Sequence, residues 1–262
     1  MNNTQNSSDW NAFDFHHYAN QWYSSMIPED REMIVFLVNE LKSRGFKFGY
    51  ESLDLVADVG TGPNLFPAMI FSQIAKKIHL IEYTQNGVKY LQEVLNNFKD
   101  KRSIHQRELW KKYGQKLCEI MSLDKDLLSI VSKKAQVVEG DIFKLEENAY
   151  DLVSSFFATE SISDNTKTFV NSIESLLRSV KPGGIFITAH MLESEGYPAG
   201  LGTFFPSVPL KKSDLEKIFR SSLRVGDFKI KSFENTDITT RPRAGYEGTA
   251  LVIGTVKNIN SE

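Results

Sequence analysis

Residues Leu55 to Pro63 read Leu-Val-Ala-Asp-Val-Gly-Thr-Gly-Pro, a short apolar run that ends in an acid and breaks into two glycines. This is the pattern of a buried strand whose carboxyl end opens into a ligand-binding turn. Gly60 and Gly62 can take backbone angles closed to other residues, and without side chains they let a ligand lie against the main chain. Asn64 to Ile74 continues at helical spacing, with Phe66, Ile70 and Ile74 on one stripe, so the turn feeds a helix. A strand, a glycine turn and a helix in that order point to an α/β sheet holding a small cofactor.

The residues around the turn narrow the choice of cofactor. A dinucleotide fingerprint wants a third glycine three residues after the second, where this chain has Leu65, and no Gly-Lys-Ser/Thr follows as a phosphate-cradling loop would require. Asp58 would repel a pyrophosphate but attract the ammonium of an amino-acid moiety, which points to S-adenosylmethionine. A second apolar run, Lys77 to Ile81, closes on Glu82, about 20 residues after the turn, the spacing at which an acid accepts both ribose hydroxyls. NAD proteins share that device, so Glu82 alone does not separate the two cofactors. A third run, Ala135 to Val138, leads into Glu139-Gly140-Asp141-Ile142, where a carboxylate can accept from an adenine amine and the next N–H can face the ring. The cofactor candidates from this reading are Asp58, Gly60, Thr61, Gly62, Asn64, Glu82, Asp141 and Ile142.

The rest of the chain fits one α/β domain over residues 13–262, with residues 1–12 as a flexible tail. Pro28-Glu29-Asp30 opens a helix that carries Ile34, Leu37, Val38 and Leu41 and ends at Gly45, giving an N-terminal cap within 13–50. Strands and helices then alternate: Tyr150 to Phe157 is a fourth apolar run, and Lys181-Pro182-Gly183-Gly184 leads into Ile185 to Ala189. Residues 102–134 are a charged helical insertion with Trp110, Leu117, Ile120 and Met121, expected as a brace over the sheet edge. Lys211 to Ser221 reads as the last helix, and Phe228 to Phe233 and Thr249 to Val256 as the closing strands. The net charge of −2, with both signs interspersed, gives no footprint for nucleic acid. No apolar stretch approaches membrane-spanning length, and Met1 to Asp9 lack the pattern of a signal peptide. The single cysteine, Cys118, fits a reducing, cytoplasmic compartment. The five histidines form no ligand spacing, so no metal is expected, and no Gly-x-Ser-x-Gly elbow marks a hydrolase.

With Asp58-Val59-Gly60-Thr61-Gly62-Pro63, Glu82-Tyr83, Gly140-Asp141-Ile142 and Lys181-Pro182-Gly183-Gly184 in register, the chain resembles the class I S-adenosylmethionine-dependent methyltransferases. Within them it is most similar to the nicotinamide, phenylethanolamine and thioether small-molecule group, because Phe13-Asp14-Phe15-His16-His17-Tyr18 and Trp22-Tyr23 match that group's aromatic lid. The resemblance implies a Rossmann-like fold: a mostly parallel seven-stranded sheet with an antiparallel last strand and helices on both faces. It implies methyl transfer to nitrogen or oxygen of a small molecule, with S-adenosylhomocysteine as product. It adds Tyr23, Tyr83, Asn86 and Phe156 to the cofactor residues, although Asn86-Gly87 stand where relatives carry Gln-Asn. Phe156 replaces a small polar residue.

Acceptor residues follow from the same register. His190 stands where the nicotinamide enzymes carry an acceptor-orienting acid, and either a base or a histidine satisfied by neighbouring backbone fits the position. Glu160 matches an acid after the fourth strand, and Tyr18 belongs to the lid. Together His190, Glu160 and Tyr18 are the catalytic candidates. The glycine- and aromatic-rich loop after the fifth strand offers Tyr197, Phe205 and Ser207 as acceptor contacts. Before the last strand, Arg241, Arg243 and Tyr246 border the expected pocket, and the two arginines could fork a carboxylate or phosphonate, pointing to an acceptor with negative charge. Two other readings stay open on sequence: an NAD(P)-dependent oxidoreductase, and a non-catalytic S-adenosylmethionine-binding protein. Oligomeric state, monomer or dimer, is unspecified.

Overall fold

The structure is a computed structural model, which describes residues 10–100, 104–199, 203–235 and 243–258. Two helices, α1 (Phe15–Trp22) and α2 (Pro28–Ser43), precede the strand β1 (Leu53–Val59). There follow α3 (Phe66–Phe71), β2 (Ala75–Glu82), α4 (Gln85–Asp100), α5 (Ile104–Met121), α6 (Leu127–Lys134), β3 (Ala135–Glu139) and β4 (Tyr150–Phe156). After α7 (Thr166–Ser179) and β5 (Val180–Leu192) comes a small hairpin, β6 (Tyr197–Pro198) and β7 (Phe204–Phe205). The chain closes with α8 (Lys212–Ser221), β8 (Val225–Glu234) and β9 (Gly248–Val256).

The seven main strands lie in the order β3-β2-β1-β4-β5-β9-β8. All pairings from β3 to β5 are parallel, and β9 is antiparallel to both β5 and β8, as the resemblance implied. Successive residues of a strand face opposite sides, so each strand feeds two cores. Val56, Leu152, Ile187 and Ile253 join α2 to α6 on one face, whereas Ala57, Val153, Phe186 and Val252 join α7 and α8 on the other. The insertion is more than an edge brace. Trp110 and Leu117 of α5 are buried against the first core, and Trp110 stacks on Tyr23 of the cap at 5.3 Å.

The order of strands reverses at β1, whose neighbours are β2 and β4, and a cleft opens at the carboxyl ends of such strands. Two backbone details shape it. Gly60 has φ +68°, and a Cβ there would lie 2.5 Å from Cβ of Ala158, so the turn after β1 rests directly on the turn after β4. Phe157, just before Ala158, sits at φ +61°, an uncommon angle for an aromatic residue and a mark of local strain. A Gly60→Ala substitution combines that clash with a left-handed backbone. It should cost roughly 1–3 kcal/mol, and at about 2–4 °C per kcal/mol for a chain of this size the loss should show as a lower Tm in a thermal scan.

Candidate functional site

The cleft encloses about 630 Å³, within the range of sites for small organic molecules. Its floor is the glycine turn: Gly60 N–H donates to the Ile81 carbonyl at 2.8 Å, fixing the turn against the end of β2. Glu82, closing β2, is the acid on this wall. Its Oε2 accepts from Gly62 N–H at 3.1 Å, and its Oε1 accepts from the Thr84 N–H and hydroxyl, each at 3.0 Å. Burial raises the Glu82 pKa from its ordinary value, and these hydrogen bonds oppose the rise. A carboxyl group is thereby held in place on the wall of the cleft. Gly87 is required beneath it, since a Cβ there would meet the Glu82 side chain at 2.6 Å and Phe15 at 2.8 Å.

Asn64 is 4% exposed and lines the cleft. Its Oδ1 accepts from Phe66 N–H at 3.4 Å, while its Nδ2 has no hydrogen-bond partner. A buried amide left with free donors costs stability unless a ligand accepts from it. Asp141 and Ile142 border the far end, with Asp141 accepting from Phe143 N–H at 3.0 Å and lying 3.2 Å from Lys144 Nζ. Thr61, Tyr83 and Phe156 also line the cleft. Asp58 does not reach it: its carboxyl turns into the sheet and takes the Ser154 hydroxyl at 2.6 Å, because β1 alternation directs it away from the turn. Asn86 is likewise off the wall, its Nδ2 donating to the Asn11 carbonyl at 2.9 Å, and Gln85 lines the cleft in its place.

The lid is the segment from Trp10 to Tyr23. Trp10–Ala12, grouped with the tail in the sequence reading, form a short helical turn whose Trp10 ring packs on Phe205 at 4.7 Å. Asp14 caps α1 by accepting from His17 N–H at 2.9 Å. Phe13, Phe15, Tyr18 and Tyr23 thereby face the cleft. Residues 1–9 lie outside the described residues.

At the other end the wall is made by Tyr18, Phe157, Ser161, Tyr197 and Arg243. The Arg243 guanidinium stacks over the Tyr197 ring at 3.8 Å and donates to the Ser161 hydroxyl at 2.9 Å. Arg241 lies outside the described residues, so the expected fork of two arginines is described at one of them.

His190 and Glu160 are brought together but not to the cleft. Both are fully buried, with Nδ1 of His190 at 3.2 Å from Glu160 Oε2 and Nε2 at 2.8 Å from the Thr188 hydroxyl. Glu160 Oε1 accepts from Met191 N–H at 3.0 Å. Burial opposes ionisation of Glu160, but the hydrogen bond and charge of His190, then the charge of Arg243, hold it below the ordinary carboxylate value. Strand alternation turns His190 toward α7, where the Phe169 ring meets it edge-on at 5.5 Å. Three acceptor candidates also lie behind the wall. Phe205 is fully buried beneath Tyr197 and Trp10, Ser207 is 2% exposed, and the Tyr246 hydroxyl meets Glu29 Oε1 at 3.4 Å in the cap interface.

Sequence reasoning missed Ser161, Phe157 and Phe15. Ser161 carries no signal of its own beyond lying next to Glu160 on a turn that sends one side chain inward and the next to the cleft. Phe15 stood inside the quoted lid segment, two residues from Phe13.

Comparison with known proteins gives a consistent result. The model of the NNMT/PNMT/TEMT family matches residues 2–245. Indolethylamine N-methyltransferase of Mus musculus is 24% identical over 220 residues, which are 78% of this chain and 79% of that protein. Among solved structures, a Pyrococcus horikoshii OT3 protein aligns with a TM-score of 0.55 at 12% identity, over 94% of this chain and all of that one. N-methyltransferase NodS from Bradyrhizobium japonicum WM9, solved with S-adenosyl-L-homocysteine, aligns at 0.52 and 9% identity, over 92% and 98%. These two likenesses establish the fold.

Two buried acids outside the cleft give the stability of the fold a pH signature. Burial pushes Asp58 up to about 7 against hydrogen bonds from Ser154 and Thr61, and burial together with the charge of Glu29 pushes Asp30 up to about 7. In the unfolded chain such groups ionise at about 4. Between those values the native state keeps protons that the unfolded state releases, so stability falls as pH rises through that window and levels off above it. Asp58→Asn removes this dependence at one site. The stability of the variant relative to the parent should increase by about 1.4 kcal/mol per pH unit across the window, read by chemical denaturation at pH 5, 6, 7 and 8. A difference that stays flat over that range would contradict the buried, protonated Asp58.

Proposed function

From its place in the NNMT/PNMT/TEMT family, to which this chain belongs, and which makes it an S-adenosylmethionine-dependent methyltransferase acting on a small molecule, we propose that it methylates nitrogen. Asn64 is the observation that carries the position of the cofactor: a buried amide with unsatisfied donors at the mouth of the glycine turn fits a carboxylate. In this reading Gly60, Thr61, Gly62 and Asn64 hold the amino-acid end, Glu82 accepts the ribose hydroxyls, and Tyr83, Asp141 and Ile142 border the adenine. When bound, S-adenosylmethionine supplies an electrophilic methyl group on a sulfonium. The lid residues Phe15, Tyr18 and Tyr23 cover that centre with ring faces and exclude water, while Phe156 presents an apolar edge packed on Phe66 at 5.3 Å.

The acceptor end supports nitrogen over oxygen. Among the described residues, the carboxylates on the wall are Glu82, Glu139 and Asp141, all at the cofactor end, and no imidazole reaches it. His190 and Glu160 act in this reading as positioning residues. The acceptor is therefore one that is nucleophilic without first losing a proton to the protein, as a nitrogen unprotonated at neutral pH is and an aliphatic hydroxyl is not. The N-methyltransferase from mouse supports the same choice. No helix among the described residues is long and apolar enough to cross a membrane. A small-molecule rather than nucleic-acid partner, and a cytoplasmic location suggested by the lone Cys118, complete the reading.

S-adenosylhomocysteine should raise the Tm and NADH should leave it unchanged, and methyl-labelled cofactor should label a nitrogen heterocycle or aromatic amine in a screen that also holds alcohols. Stabilisation by NADH, or label found only on alcohols, would overturn the proposal. Glu82→Ala should weaken S-adenosylhomocysteine about ten- to a hundredfold through the lost charge-assisted hydrogen bonds, measured by titration calorimetry.

A further inference from the structure

Arg243 is the one cation on the wall among the described residues, and it is 6% exposed. Its Nη1 donates to the Ser161 hydroxyl at 2.9 Å and its Nη2 reaches the Tyr18 hydroxyl at 3.5 Å. Its Nε has no hydrogen-bond partner, and no carboxylate of the described residues lies within ion-pair distance of the guanidinium. Glu160, in the second layer, is a carboxylate whose charge acts on Arg243, but its oxygens are occupied by Met191 N–H, His190 and the Thr159 hydroxyl. Arg243 is thus held in place by neutral groups and by the ring of Tyr197, with donors left over. Burying a guanidinium this way is unfavourable unless a partner completes it, and the partner that matches its planar fork is a carboxylate.

The surroundings restrict what carries that carboxylate. Phe13, Tyr18, Phe157 and Tyr197 surround the same end of the cleft, which suits a flat ring rather than a flexible chain. A phosphate or phosphonate would ask for more donors than one guanidinium and two hydroxyls, and the described wall offers no lysine. Resting on the methyltransferase reading above, we infer that the methyl acceptor is a small aromatic carboxylic acid bearing the accepting nitrogen, with its carboxylate paired to Arg243. Arg243 is then the residue that sets specificity, and Ser161 and Tyr197 position it.

The test uses the full chain, with and without saturating S-adenosylhomocysteine, and two matched pairs of probes: nicotinate with nicotinamide, and 4-aminobenzoate with 4-aminobenzamide. Calorimetry on the parent protein should show each acid binding at least tenfold tighter than its amide. Arg243→Gln should erase that preference while keeping S-adenosylhomocysteine affinity within about twofold, which also reports that the variant is folded. Ser161→Ala, which frees one guanidinium nitrogen without removing the charge, should weaken the acids severalfold and leave the amides unchanged. Equal or tighter binding of the amides to the parent protein overturns the inference, as does an acid preference that survives Arg243→Gln. Should S-adenosylhomocysteine fail to bind while the acids are still preferred, the methyltransferase reading falls and Arg243 keeps its ligand. Should S-adenosylhomocysteine bind with no acid preference, only the acceptor class is lost.

Discussion

The cleft depends on one contact, the approach of the turn after β1 to the turn after β4. With a Cβ on Gly60 forbidden by Ala158, the two strand ends sit close enough for a single ligand to touch both. Everything else in the site hangs from that distance. Glu82 reaches across from β2 to take Gly62 N–H, and the turn after β4 carries Phe157, Ala158 and Ser161 to the opposite wall. The strain at Phe157 belongs to the same geometry: a left-handed step is what turns the chain sharply enough to present both its ring and Ser161 to the cleft.

The half of the cleft built on the glycine turn was legible in the sequence because it is local. Strand end, glycines and the acid at the end of β2 are set by short-range rules, so Gly60, Thr61, Gly62, Asn64, Glu82, Asp141 and Ile142 could be read in order, and all of them line the cleft. Asp58 and Asn86 show the limit of that reading. Each has the expected residue type one step from the wall, and a strand pleat or a lid contact decides where its side chain goes. The mostly parallel character of the sheet was equally legible, since strands and helices alternate, whereas the role of α5 under Tyr23 required knowing what the insertion packs against.

The Arg243 end of the cleft was less legible because it is assembled from segments far apart in the chain. His190, Glu160 and Tyr246 have the chemistry of an active site, yet each is consumed by a partner in the interior: His190 and Glu160 by each other, Tyr246 by Glu29 of the cap. Sequence gives residue type and position along a strand, but a side chain's partner comes from tertiary packing. Glu29 illustrates this well, because its Oε1 also takes the Asn235 amide at 2.6 Å and so ties the first turn of α2 to the end of β8.

These placements divide the cleft electrically. One end carries the acids Glu82, Glu139 and Asp141, and the other carries Arg243 with Glu160 sealed behind it. The acidic end suits hydroxyls and amines, the donor groups of a ribose and an adenine, and the cationic end suits an acceptor that brings its own negative charge. Glu160 could not sit on the wall without cancelling Arg243 directly. Held by His190 and Met191 N–H one layer back, it offsets the cost of burying the guanidinium while leaving the Nε–H of Arg243 without a partner. The buried histidine–carboxylate pair therefore bears on the charge of the cleft through where it keeps Glu160, even though neither residue lines the cleft.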